Sequence, residues 1–313
     1  MRSIARARLP YQRTFLERVP LRFVNLKELS KGALESRDLA EDGYWQIDAD
    51  QEAVAFLVLY GGRPHQLVGH RGPTLSAFLR WLATDKRELV LTYRFVQEGL
   101  LPHLFRCWTE DPALQGLSHI EGDIKELLKG LSSSGESGLL AIRSGGEVCL
   151  VPVDKGTLSI GYGAGQVVNG NSLIKMLSSG LSKDAEADFY PGATRPLPAI
   201  GISEVGLLIQ SFNDWLEAIR PTWPSCDKLA EAMYEKLQAR EDCIRSISYE
   251  PGDGLVMNEL PEDTANLAKI FVVLIKSLTR RHPSPDNAVK VFAAVNRENR
   301  IALVSAGLGS LLE

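Results

Sequence analysis

Four side chains that could grip an anion crowd one short stretch, GGRPHQLVGHRG (61–72): Arg63, His65, His70 and Arg71. Guanidinium and imidazole groups at that density could hold a phosphate or a nucleotide through charge-assisted hydrogen bonds. Arg63, His70 and Arg71 are therefore the candidate ligand-binding residues. The same residues also suit a solvated hairpin edge, where basic charge blocks unwanted strand pairing. His65 and His70 have no cysteine or third histidine near them in sequence, so no metal site is expected there.

The remaining motifs point away from catalysis. Gly161-Tyr-Gly-Ala-Gly165 lacks the GxGxxG spacing of a dinucleotide loop, its third glycine falling one residue early, and reads as a structural turn. GxSxG, HExxH, GxxxxGK[ST] and kinase signatures are absent. Cys107, Cys149, Cys226 and Cys243 form no CxxC pair and read as small buried hydrophobes. Glu250, Asp253, Glu262 and Asp263 flank a PGDG turn without the spacing of an EF-hand. Arg280-Arg-His282 closes a helical segment, where cations complement the backbone dipole. Trp81, Trp215 and Trp223 lie on or beside apolar stripes and are expected in cores. No catalytic residue, metal or cofactor is predicted.

The elements that would carry these residues occur twice. LKELSKG (26–32) returns as IKELLKG (124–130). Each is followed by a glycine that opens a strand, Gly43-Tyr-Trp-Gln-Ile47 and then Gly138-Leu-Leu-Ala-Ile142. Second strands follow at 53–60 and 147–153, then tight turns at Gly61-Gly62 and Asp154-Lys-Gly156, then third strands at 65–68 and 158–162. Both copies continue into an amphipathic helix, with Leu75, Phe78, Leu79 and Leu82 on one face in the first and Leu173, Met176 and Leu177 in the second. Thr74 and Asn171 stand where an N-cap belongs. Last strands are expected at 88–95 and 185–192. The repeat is thus helix, three-stranded meander, helix, strand.

After ATRPLPAIG (193–201) the pattern turns helical, with apolar stripes through 205–219, 226–239 and 267–278, a Ser284-Pro285 helix start, and a last segment at 300–312. Residues 243–258 could form a hairpin about PGDG, which with more strands would suggest a roadblock-type domain; a helical bundle is the preferred reading. The expected fold is α+β: a basic N-terminal arm (1–14), two antiparallel-sheet modules with flanking helices (15–112 and 113–195), and a mainly helical domain (202–313). A net charge of −4 argues against a nucleic-acid partner. No apolar run is long enough to span a bilayer and the N-terminus has no secretory h-region, so a cytoplasmic location is expected.

The second copy resembles the PATAN family, the N-terminal domain of PatA-type bacterial signalling proteins. The resemblance is carried by EGDIKELL (121–128), SGLLAI (137–142) and the strand–turn–strand ending in Gly161-Tyr-Gly163. The first copy matches more loosely, through 26–32 and 56–68. The resemblance implies a tandem duplication and a non-enzymatic adaptor of bacterial signal transduction or motility. Its implied partners are other signalling proteins, such as a response regulator or a small GTPase system, and a homodimer is compatible with it. No receiver domain is present to give direct phosphotransfer. The alternative is a sensor that binds a small anionic ligand through the loop from Arg63 to Arg71.

Overall fold

The structure, a computed structural model, describes residues 8–26, 28–29, 41–69, 75–118, 123–158, 160–170, 172, 185–197, 201–258, 261, 266–305 and 308–312. The fold is α+β, with helices and antiparallel sheets. Two compact units divide the chain: Met1–His70 with Leu82–Leu197, and Arg71–Trp81 with Pro198–Glu313.

In the first unit, β1 (Arg13–Pro20), β2 (Gly43–Ala49), β3 (Glu52–Tyr60), β4 (Arg63–Val68) and β5 (Leu89–Phe95) form a sheet in the order β1-β5-β2-β3-β4. Helix α1 (Leu75–Thr84) precedes β5 and buries Phe78 and Leu82. Its apolar stripe fixes which face is buried; its residues up to Trp81 belong to the second unit and those from Leu82 to the first. Helix α2 (Leu100–Thr109) then leads to the second copy.

That copy contains β6 (Leu114–Ser118), α3 (Asp123–Ser134), β7 (Gly138–Ser144), β8 (Glu147–Asp154), β9 (Thr157–Leu158), β10 (Ile160–Gly163), β11 (Gln166–Asn169) and β12 (Glu186–Pro191). Its sheet runs β11-β10-β8-β7-β12-β6, with β9 beside β8. Read from the other end, first strand, last strand and meander follow in the same order as in the first sheet. The registers also coincide. Gly43 faces Phe95 as Gly138 faces Pro191, and Val19 faces Leu91 as Leu117 faces Ala187.

The meander hairpins share one turn geometry. Asp50-Gln51 (φ 52° and 66°), Gly61-Gly62 (54° and 74°), Gly145-Gly146 (58° and 80°) and Lys155-Gly156 (46° and 76°) all carry positive φ at both central residues, which matches the twist of paired strands. Gly43 and Gly138 serve another purpose. A Cβ on Gly43 would lie 2.5 Å from the Arg94 carbonyl oxygen, and one on Gly138 would lie 2.7 Å from that of Tyr190. Each glycine lets the last strand of its copy pass close by.

The inner faces of the two sheets share one core. Tyr44, Phe56, Val58 and Val68 of the first copy and Leu139, Ala141, Leu150, Tyr162 and Tyr190 of the second join Leu100, Leu101, Leu104, Cys107 and Trp108 of α2. Trp108 stacks on Phe56 with centroids 4.3 Å apart and meets Tyr44 edge-on. The outer face of the second sheet has its own core, in which Ile124 and Leu131 of α3 lie against Leu140, Ile142, Val151, Val153, Ala187 and Phe189. The modules expected at 15–112 and 113–195 therefore lie in one unit. Burial on both faces explains why β3 reads as a nearly continuous apolar run and not as an alternation.

Two features differ from the expectation. Each module begins with a strand that the repeat lacked: β1 carries charges and β6 is short, so neither shows clear period-2 alternation. The basic arm is also part of the fold where it is described. Leu9 is buried, Arg8 bridges Glu147, Tyr11 bridges Ala164, and the Gln12 N–H donates to the Phe95 carbonyl. Residues 8–12 thus tie the second sheet to the first.

The second unit is built around α4 (Ile202–Ile219), with α5 (Cys226–Gln238), α6 (Leu267–Thr279), α7 (Pro285–Val295) and α8 (Arg300–Ser305). Trp215 is fully buried and its indole N–H donates to the Ala288 carbonyl at 2.9 Å. A hairpin of β13 (Ile247–Glu250) and β14 (Gly254–Met257) forms about PGDG and pairs with no further strand among the described residues, so the domain is helical with a hairpin. Asn213 of α4 pins it by donating to the Leu255 carbonyl and accepting from the Leu255 N–H. His282 does more than follow a helix end: it is buried, its Nδ1 accepts from the Ser284 N–H at 2.9 Å, and its ring meets Trp223 edge-on.

Candidate functional site

The loop singled out in the sequence is mostly strand. Arg63 is the exposed first residue of β4, whereas His65 is buried with its ring 5.5 Å from that of Tyr60. The strand therefore leaves one of these residues exposed and buries the other. His70 and Arg71 lie outside the described residues. The glycine-rich stretch 161–165 is taken up by the protein's own arm, since the Gly165 N–H donates to the Tyr11 carbonyl at 2.7 Å.

The polar groups that do converge sit on the inner faces of the two sheets, at matching positions. In each copy the first strand bulges two residues ahead of the last matched pair: Glu17-Arg18 in β1 and Gln115-Gly116 in β6. The second bulge residue has positive φ in both, 51° at Arg18 and 62° at Gly116. Its N–H donates to a side chain of the last strand: Arg18 to Thr92 Oγ1 at 3.3 Å, Gly116 to Asp188 Oδ1 at 2.9 Å. One backbone device thus meets a hydroxyl in one copy and a carboxylate in the other.

The second copy closes this device. Asp188 is fully buried and accepts both Arg143 guanidinium nitrogens, at 2.6 and 3.1 Å, while Arg143 also reaches Glu186 at 3.2 Å. A buried carboxylate held by a forked guanidinium and a backbone N–H has its charge compensated on several sides.

The first copy is more open. Arg94, nearly buried, donates to Glu17 at 3.2 Å and to the Tyr44 hydroxyl at 3.4 Å, beneath the Tyr11 ring at 4.7 Å. Asp48 occupies the position of Arg143, with the opposite charge; it accepts from Gln46 Nε2 at 2.8 Å and lies 3.9 Å from the Arg18 guanidinium. Burial raises the Asp48 carboxyl above its ordinary value, partly offset by the Gln46 hydrogen bond and by Arg18 and Arg94. Two buried atoms here have no hydrogen-bond partner, Arg94 Nε and Gln46 Oε1.

The helix between the copies holds a third cluster. Arg106 donates to Glu110 at 2.7 Å and to the carbonyls of Gly192 and Pro191 at 2.7 and 2.6 Å, fixing the end of β12. His103 pairs with Thr194 Oγ1 at 2.9 Å, and burial with the nearby Arg106 charge lowers it to about 4. Burial pushes the Cys107 thiol up to about 12. A neutral imidazole and an un-ionised thiol here lock structure and do not form an activated nucleophile. In the second unit, Asp227 accepts both Arg220 guanidinium nitrogens and the Tyr249 hydroxyl, and these bonds hold its carboxyl below the usual range.

Pattern reading could have found the first-copy cluster. Gln46 and Asp48 share a face with Tyr44, and Thr92 and Arg94 pair across from that face, so alternation places four polar side chains on a sheet side that is otherwise core. Among the described residues no group of three or more His, Cys, Asp or Glu could hold a metal ion, and no helix is long and apolar enough to cross a membrane. No family model, no curated protein and no solved structure matches this chain.

Proposed function

We propose that the protein is a non-enzymatic adaptor that binds other proteins in a cytoplasmic bacterial signalling or motility pathway. One observation carries this reading. The same element of the repeat, its first strand, ends each sheet: β1 in one and β6 in the other. Each strand also exposes an apolar side chain, Phe15 at 45% and Leu114 at 43%. Strand edges with exposed apolar groups are recognised by strand addition, in which main-chain bonds give affinity and side chains give specificity. The two edges are not equal. β1 carries Arg13, Glu17 and Arg18, whereas β6 (LQGLS) carries no charge and is the better docking edge. The resemblance of the second module to PATAN domains supplies the signalling context.

The test is affinity capture of the full-length tagged chain from its host, beside Leu114→Lys and Phe15→Lys variants. A stoichiometric signalling partner that is lost with Leu114→Lys is expected. Recovery of chaperones alone, or of a partner indifferent to both substitutions, would overturn the reading.

A further inference from the structure

The first-copy cluster is polar where its counterpart is neutralised, and its unmet hydrogen bonds specify what would complete it. Arg94 Nε is a donor and Gln46 Oε1 an acceptor; both are buried and unpartnered. Leaving such groups unmet costs their full desolvation, so their persistence in a sheet whose twin has closed the same position calls for an explanation. We propose that this cluster binds a small oxyanion that itself carries a hydroxyl, of the hydrogenphosphate type, and that Glu17 holds its place when it is absent.

The arrangement fits that chemistry at each contact. Arg94 and Arg18 are the two cations that act on Asp48, and forked guanidinium groups bind tetrahedral oxyanions well. Thr92 Oγ1 accepts the Arg18 N–H and keeps its own proton to donate to an oxyanion oxygen. Gln46 Oε1 can only accept, so the ligand must bring an O–H. Glu17 is the exchangeable member. Its side chain is 49% exposed, so it can turn out into solvent while another anion pairs with Arg94. Replacing it with another anion keeps the Arg94 guanidinium paired. In the second copy Gln115 and Gly116 replace Glu17 and Arg18, and Asp188 occupies the anion's place permanently. The site is separate from Arg63, which lies exposed at the start of β4.

The experiment is calorimetric titration of the full chain at pH 7 with inorganic phosphate, sulfate and O-phosphoserine. Sulfate and the phosphomonoester dianion have the charge but no O–H, so phosphate should bind at least about tenfold more tightly than either, as a site built around a hydrogen bond rejects an analogue that lacks it. Arg18→Ala, at a side chain that is 57% exposed, keeps the fold and should weaken phosphate at least about tenfold. Glu17→Gln should tighten it, and Gln46→Met should erase the preference over sulfate. Arg63→Ala should change nothing. Equal affinity for phosphate and sulfate, a preference for O-phosphoserine, or no heat at about 10 mM phosphate would each overturn the proposal. So would phosphate binding that survives Arg18→Ala unchanged.

Discussion

The two modules share register, turns, bulge and strand order, yet their polar interiors have opposite characters. In the second, Asp188, Arg143 and the Gly116 N–H form a closed set. In the first, Thr92 replaces the aspartate, Asp48 replaces the arginine, and Arg94 and Gln46 keep unmet atoms. A backbone can therefore be repeated faithfully while the side chains that its bulge addresses divide the work. One copy spends the position on rigidity, and the other keeps it half-filled. The largest expected effect tests that division. Asp188→Ala takes a fully buried carboxylate from the part-buried Arg143 and the Gly116 N–H and should destabilise by about 3 kcal/mol, whereas Thr92→Ala removes one neutral hydrogen bond and should cost about 1 kcal/mol. Urea melts of the two variants should differ accordingly. Equal losses would mean that both clusters are structural.

The paired glycines come next. Gly138→Ala places a Cβ 2.4 Å from the Phe189 ring and 2.7 Å from the Tyr190 carbonyl, and Gly43→Ala places one 2.5 Å from the Arg94 carbonyl. Each should cost about 1–3 kcal/mol, and their similarity in thermal melts would show that the copies share a backbone constraint as well as an outline. A benign Gly43→Ala would mean that the first sheet yields more easily than the second.

The repeat and its meanders were legible because two-residue turns and strand-opening glycines are local signals. The duplication could be read from LKELSKG and IKELLKG, and the turn at Gly61-Gly62 from its composition. The edge strands were not legible. β1 is interrupted by a bulge at Glu17-Arg18, which breaks the alternation that marks a strand, and β6 repeats the interruption at Gln115-Gly116. The fusion of the modules was hidden for another reason: α2 has an ordinary amphipathic sequence, and only the tertiary structure shows both sheets meeting on it. The sequence drew attention to basic residues close in the chain, Arg63 to Arg71, whereas the cluster that assembles joins β1, β2 and β5, far apart in sequence. Arg18 lies outside the alternation that marks Gln46, Asp48, Thr92 and Arg94, and its place in the cluster follows only from the pairing of β1 with β5.

The helix that joins the copies carries a histidine that gives a pH readout of the joint. His103 titrates at about 4 in the folded chain against 6.5 when unperturbed. The unfolded chain therefore takes up this proton first as pH falls, so the contribution of His103 is present above 6.5 and is lost progressively down to about 4. His103→Gln should flatten that part of the stability–pH curve measured by urea melts. A slope unchanged in the variant would place the acid sensitivity elsewhere.

The smallest effect lies in the turns, where each copy has relaxed one hairpin and left the other strained. The first places Asp50-Gln51 where the second has Gly145-Gly146, and the second places Lys155 where the first has Gly61. A side chain held at positive φ crowds its own backbone, a penalty that glycine escapes at some cost in unfolded-state entropy. The net expectation is a gain of about 0.5–1 kcal/mol for Gln51→Gly and for Lys155→Gly, and a loss of the same order for Gly145→Gln. Lys155 lies at the opposite end of β7 and β8 from Arg143, so Lys155→Gly should add independently to the effect of Asp188→Ala. Departure from additivity would mean that turn strain reaches the cluster through β7, and that the difference between the copies extends beyond the bulge to the whole meander.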